Sequence, residues 1–93
     1  MIGERIRELR EQENILLRHL AAQIDVDTAM LSKMERGDRF FKKDDIVALA
    51  RIFKQSEEEL LTLWLADKIL KTINQEAYKE QALALALEVI KKM

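Results

Sequence analysis

The 93-residue sequence predicts an all-α fold, with five helices in one small domain and an additional C-terminal helix. Three observations predict it. Proline is absent and glycine occurs only as Gly3 and Gly37, so helix breakers are scarce and connections short. Apolar residues recur at three- and four-residue spacing along nearly the whole chain. Residues suited to helix ends stand where that spacing is interrupted.

Ile2, Ile6 and Leu9 define helix 1, from about Ile2 to Gln12, with Arg and Glu on its other faces. Asn14 marks a turn. Helix 2 covers roughly Leu16 to Gln23 and buries Leu17, Leu20, Ala21 and Ile24. Asp27 is an N-cap for helix 3, because its carboxylate can accept from the free N–H groups of the first turn. Helix 3 turns Met30, Leu31 and Met34 inward beside Val26, and Gly37 ends it as a C′ residue. Asp44 and Asp45 open helix 4 at the favourable end of its dipole, with Ile46, Leu49, Ala50 and Phe53 as its buried stripe. Of Phe40 and Phe41, one is expected buried and one partly exposed. Ser56 followed by Glu59 reads as a capping box for helix 5, from about Glu57 to Ile73. Asn74 and Gln75 break the chain before helix 6, from about Glu76 to Lys91. The stretch ALALALEVI within it alternates in period two, yet Ala and Leu are helix formers and no partner strand exists, so helix is expected. The domain is thus residues 1–73, with 74–93 a separate C-terminal helix.

Leu20 to Gly37, reading LAAQIDVDTAMLSKMERG, is the informative segment. Two short helices joined through Asp25 and Val26 form a helix-turn-helix, whose second helix can lie in a DNA major groove. Bulk properties remove most alternatives. There is no cysteine, so disulfides, thiolate metal sites and Cys nucleophiles are excluded together, which fits a reducing compartment. Glu4, Arg5 and Arg7 interrupt any leader-like apolar region, and Ala82–Ile90 is too short to span a bilayer, so a soluble cytoplasmic chain is expected. No nucleophile–base pair, metal set or phosphate-cradling glycine loop is visible, so neither enzymatic activity nor a cofactor is expected. His19, the only histidine, has no companion at ligand spacing. The acids at 44–45 and 57–59 suit helix caps better than acid–base catalysis.

The net charge of −1 is unevenly placed. Residues 1–55 hold 11 Lys/Arg against 10 Asp/Glu, whereas residues 56–93 hold 5 against 7. Lys33, Arg36, Arg39, Lys42 and Lys43 face only Glu35 and Asp38 in the same stretch, and location matters more than the total. Glu35 is expected to pair locally with Arg36 or Arg39.

With LA at 20–21, Val26, Leu31 and ERG at 35–37, the opening IGERIRELRE and the later LARIF…SEEELL, residues 2–65 resemble the Xre/Cro-type helix-turn-helix family of bacterial and phage regulators. Among them the chain looks most like the small controller proteins associated with restriction-modification systems. The resemblance implies that Thr28, Ala29, Ser32 and Lys33 touch base edges. Lys33 can donate to guanine, Thr28 and Ser32 can donate or accept, and the Ala29 methyl can pack on thymine. It also implies that Arg36, Arg39, Lys42 and Lys43 hold phosphates, which set register rather than sequence. The chain departs from the family where helix 2 usually opens with Ser/Thr then Gln. Leu16 and Leu17 stand there and cannot hydrogen-bond through their side chains, leaving Arg18 or His19 for that phosphate. A frequent turn glycine is Asp25, which tolerates a left-handed backbone better than most residues. A proline common after the ERG element is Phe41.

Between Ala82 and Ile90 only Glu88 is polar, more apolar surface than one helix face buries. A symmetric dimer contact is expected from Trp64, Leu65, Ile69, Leu83, Leu87 and Ile90. The sequence therefore predicts a homodimeric regulator of transcription on a palindromic site in double-stranded DNA, with no membrane or small-molecule partner. Two other roles fit the same pattern: the antitoxin of a toxin–antitoxin pair, with helices 5–6 holding the toxin, and a protein-interaction module built on a helix-turn-helix scaffold.

Overall fold

The computed structural model describes all 93 residues as six helices and no strand: α1 Ile2–Gln12, α2 Leu17–Gln23, α3 Thr28–Arg36, α4 Lys43–Ile52, α5 Glu57–Ile73 and α6 Lys79–Lys91. The first five lie within about a residue of the expected bounds. The sixth starts three residues later than Glu76. Residues 74–78 form a turn instead: the Asn74 N–H donates to Leu70 O (2.8 Å) and the Glu76 N–H to Ile73 O (2.9 Å). Tyr78 then takes a φ of 64°, which no continuing right-handed helix accommodates.

Four helices end in the same hydrogen-bonded loop, in which a residue of positive φ turns the chain back and two N–H groups reach the last turn. After α1, Ile15 donates to Arg10 O (3.0 Å) and Asn14 to Glu11 O (3.1 Å); after α2, Val26 to Ala21 O (3.0 Å) and Asp25 to Ala22 O (3.3 Å). After α3, Asp38 donates to Lys33 O (2.9 Å) and Gly37 to Met34 O (3.2 Å); after α4, Gln55 to Ala50 O (2.9 Å) and Lys54 to Arg51 O (3.3 Å). Their φ angles are 55° at Asn14, 57° at Asp25, 85° at Gly37 and 54° at Lys54. Only the third is glycine. Asn and Asp tolerate this conformation through their short polar side chains, whereas Lys54 holds it at a steric cost.

The N-terminus of α3 is capped as the sequence suggests, α5 and α4 each carry half of a capping box, and α1, α2 and α6 have no side-chain cap. Asp27 Oδ1 accepts from the Met30 N–H at 2.7 Å. Ser56 Oγ accepts from the Glu59 N–H at 3.2 Å, but no returning bond from the Glu59 carboxylate completes the expected box. The complementary half occurs at α4, where Asp45 Oδ2 accepts from the Lys42 N–H at 2.9 Å.

The core draws on α1 through α5: Ile6, Leu20, Leu31, Ile46, Leu49 and Leu60 are fully enclosed, with Leu9, Ala21, Ile24, Met34, Ala50 and Phe53 around them. Leu17, Val26 and Met30 are only half-buried at its edge. Phe41 fills the core (2% exposed) and Phe40 lies outside (42%). α3 packs on α1 and α2, and α5 on α4 and α1. Gly3 lets α1 press on the end of α3: a Cβ there would lie 2.5 Å from Met34 O and 2.6 Å from Glu35 O.

α6 stands apart from this body. None of its residues is buried, and it forms none of the main helix pairs. The radius of gyration is 15.1 Å, against about 12 Å for a compact chain of this length. No helix is long and apolar enough to cross a membrane.

Candidate nucleic-acid interface

The helix-turn-helix is built by α2, the left-handed turn at Asp25 and the Asp27 cap, which together aim α3. Leu31 and Met34 are buried and fix the inner side of α3. The 100° step per residue then sends Thr28, Ala29, Ser32, Lys33 and Arg36 outward along one continuous face. Thr28, Ala29, Lys33 and Arg36 are exposed and Ser32 is half-exposed.

Glu35 departs from expectation. It does not pair with Arg36 or Arg39 but lies inside, 6% exposed, against α1. Arg10 Nε donates to Glu35 Oε2 (2.9 Å) and Arg10 Nη2 to Oε1 (3.1 Å), while Nη1 donates to Ile15 O (3.1 Å). The hydrogen bond to Glu35 raises the Arg10 pKa above its usual value, and desolvation opposes it less. The reason is geometric: position 35 sits next to Leu31 on the inner side of α3, so its carboxylate needs a partner from another helix. One acid is thereby withdrawn from the basic segment.

Arg36 is held locally. Its Nη1 donates to Ser32 Oγ (2.8 Å) and its Nε to Asp38 Oδ2 (3.2 Å). Ser32 spends acceptor capacity on Arg36 and keeps its hydroxyl proton free to donate. Arg18, Lys33, Arg39, Lys42 and Lys43 are exposed and engaged in no ion pair. Leu16, at the start of α2, is exposed too, and so is His19. No three acidic or histidine side chains converge closely enough to hold a metal ion.

The loop from Gly37 to Lys42 carries Arg39 and Lys42 and leads to Lys43. It is fastened to α5 by residues whose part the sequence did not disclose. Trp64, expected at a subunit contact, packs half-buried on its own core, and its Nε1–H donates to Phe41 O at 2.7 Å. Lys71 Nζ lies 4.6 Å from the centre of the Phe40 ring. Asp67 Oδ2 accepts from the Ile2 N–H at 2.7 Å, tying α5 to the start of α1. Leu65 and Ile69, on the opposite side of α5, are exposed, as are Leu83, Leu87 and Ile90 on α6.

A family model described as helix-turn-helix domain matches residues 2–63, about two thirds of the chain and all of α1 to α4. No curated protein and no solved structure matches the chain.

Proposed function

We propose, from the premise that this chain belongs to the helix-turn-helix domain family, that it is a sequence-specific regulator of transcription acting as a homodimer on a palindromic operator. One observation carries the reading. The outward face of α3 bears Thr28, Ala29, Ser32 and Lys33, and four unpaired cations at Arg18, Arg39, Lys42 and Lys43 lie on the flanking segments. Arg36 joins the phosphate contacts by opening its exposed pair with Asp38, a contact worth little in water. Lys33 donates to guanine O6 or N7, Ser32 and Thr28 read hydroxyl-range acceptors, and Ala29 meets a thymine methyl.

The dimer contact uses the apolar residues that the monomer leaves in water. Leu83, Leu87 and Ile90 share one face of α6, Leu85 and Val89 share a second, and Ala82 and Ala86 lie between them. Burial gains roughly 25 cal/mol per Å², and exposed patches of this kind drive association. The protein works by binding, without catalysis or cofactor, in the cytoplasm. Its targets, by the Xre/Cro resemblance, are its own promoter or a neighbouring restriction-modification gene. α6 in water equally suits an antitoxin whose α5 and α6 hold a toxin.

A salt titration of binding to the gene's upstream duplex tests the reading. A DNA regulator shows log K falling steeply with log salt concentration, by about one unit of slope per phosphate contact. Absence of a slope refutes it.

A further inference from the structure

The Phe41–Lys42 peptide is held from both sides. Its carbonyl oxygen accepts from the Trp64 indole (2.7 Å), and its N–H donates to Asp45 Oδ2 (2.9 Å). With both ends occupied the peptide plane has one orientation, and that orientation aims the Lys42 side chain. The residue before it is held by Lys71 over the Phe40 ring. Trp64, Asp67 and Lys71 stand at i, i+3 and i+7, so one face of α5 makes the contacts to the loop and to the start of α1. Close packing does not do this alone. A cleft of about 350 Å³, lined in part by Ile2, Met34, Arg39, Phe40 and Asp67, separates these segments. The side chain of Phe41 anchors one point, and the direct bonds set the rest.

We infer that Trp64 is a positioning residue for DNA binding: through its indole N–H it fixes the loop that presents Arg39 and Lys42 to phosphate. It touches no DNA itself. The inference rests on the DNA-binding reading above.

The test uses the intact protein, in which Trp64 is the only tryptophan. Trp64→Phe keeps an aromatic ring and removes the donor. Biosynthetic replacement of tryptophan by benzothienylalanine keeps the ring shape as well, and serves if Trp64→Phe folds poorly. Binding to the upstream duplex is measured against salt, alongside amide exchange at Lys42. Loss of one neutral hydrogen bond should weaken binding about fivefold. The salt slope should shrink by about one, with base preference unchanged and Lys42 exchange faster. A merely structural role would lower the folded fraction and leave the slope of the folded protein as it was. Equal affinity and slope in the substituted and native proteins overturn the inference while the regulatory reading stands. Failure of the native protein to bind any duplex removes both.

Discussion

Arg10 and Glu35, 25 positions apart, meet through two parallel hydrogen bonds and lock α1 to α3. The side chains are 15% and 4% exposed, so the pair is largely removed from water. Its Coulombic gain is offset by desolvation, so the intact pair adds little net stability while the loss of either partner is costly. Because the pKa of Arg10 is raised, its contribution is fully present below the unfolded value, which lies far above neutrality. It therefore adds no pH dependence in the neutral range.

Removing one partner should be costly. Glu35→Leu strands a guanidinium beside the core, and Arg10→Met strands a carboxylate; each should lose about 3–5 kcal/mol in urea unfolding. The double replacement should recover most of that loss. Strict additivity of the two single losses would show that the residues are not coupled.

Gly3→Ala should destabilise, against the ordinary trend. In an exposed helix interior the change gains about 1 kcal/mol. Here the new methyl meets backbone oxygens of Met34 and Glu35 at 2.5 and 2.6 Å, which no rotamer change relieves. Overpacking costs about 1–3 kcal/mol, so a net loss is expected by thermal or urea unfolding. A gain would mean that α1 slides freely along α3.

At the opposite extreme, Lys54→Gly should stabilise by about 1 kcal/mol, because Lys54 is exposed, holds a left-handed φ of 54° and engages in no ion pair. Gly37→Ala, at φ 85°, should destabilise by a similar amount although its Cβ would meet nothing within 4 Å. Equilibrium unfolding of the two variants checks the opposite signs.

Glu35, Gly3, Trp64 and Tyr78 mark where a linear reading stops. Helices, the Asp27 cap and the outward face of α3 were legible because they follow from local spacing and capping chemistry. Glu35 has Arg36 and Arg39 close by in sequence, and nothing near it points to Arg10. Gly3 carried a signal, a glycine inside an apolar helical repeat, whose cause is an approach by α3 that sequence spacing does not encode. The Trp64 bond to Phe41 joins two elements whose contact depends on how α5 crosses the loop. The late start of α6 turns on Tyr78, a residue with no preference for positive φ.

Lys33→Ala should lower specific affinity by about 1–3 kcal/mol and relax preference at one base pair, measured across single-base variants of the operator. Arg39→Ala should instead weaken every duplex alike and reduce the salt slope by about one. A uniform loss for Lys33→Ala would make it a phosphate contact.

Assembly is the last expectation, and it rests on α6. The monomer leaves Leu83, Leu85, Leu87, Val89 and Ile90 between 45% and 62% exposed, and α5 leaves Leu65 (53%) and Ile69 (42%) in water. A helix of thirteen residues isolated in water is marginal, at or below the length at which even alanine-rich sequences hold. Contact with a second copy would supply what α6 lacks, because an apolar face can pack on its own copy about a two-fold axis. Light scattering should report a dimer. Leu87→Glu, which places a charge in the middle of one α6 face, should dissociate it without disturbing α1–α5, whose core contains no α6 residue. The variant should retain half-site affinity but lose most of its affinity for a full palindrome, because two recognition helices one DNA turn apart no longer bind together. A native protein that stays monomeric at about 100 μM, far above the Kd expected of a working regulator, would refute the homodimer and turn α6 toward a different protein partner.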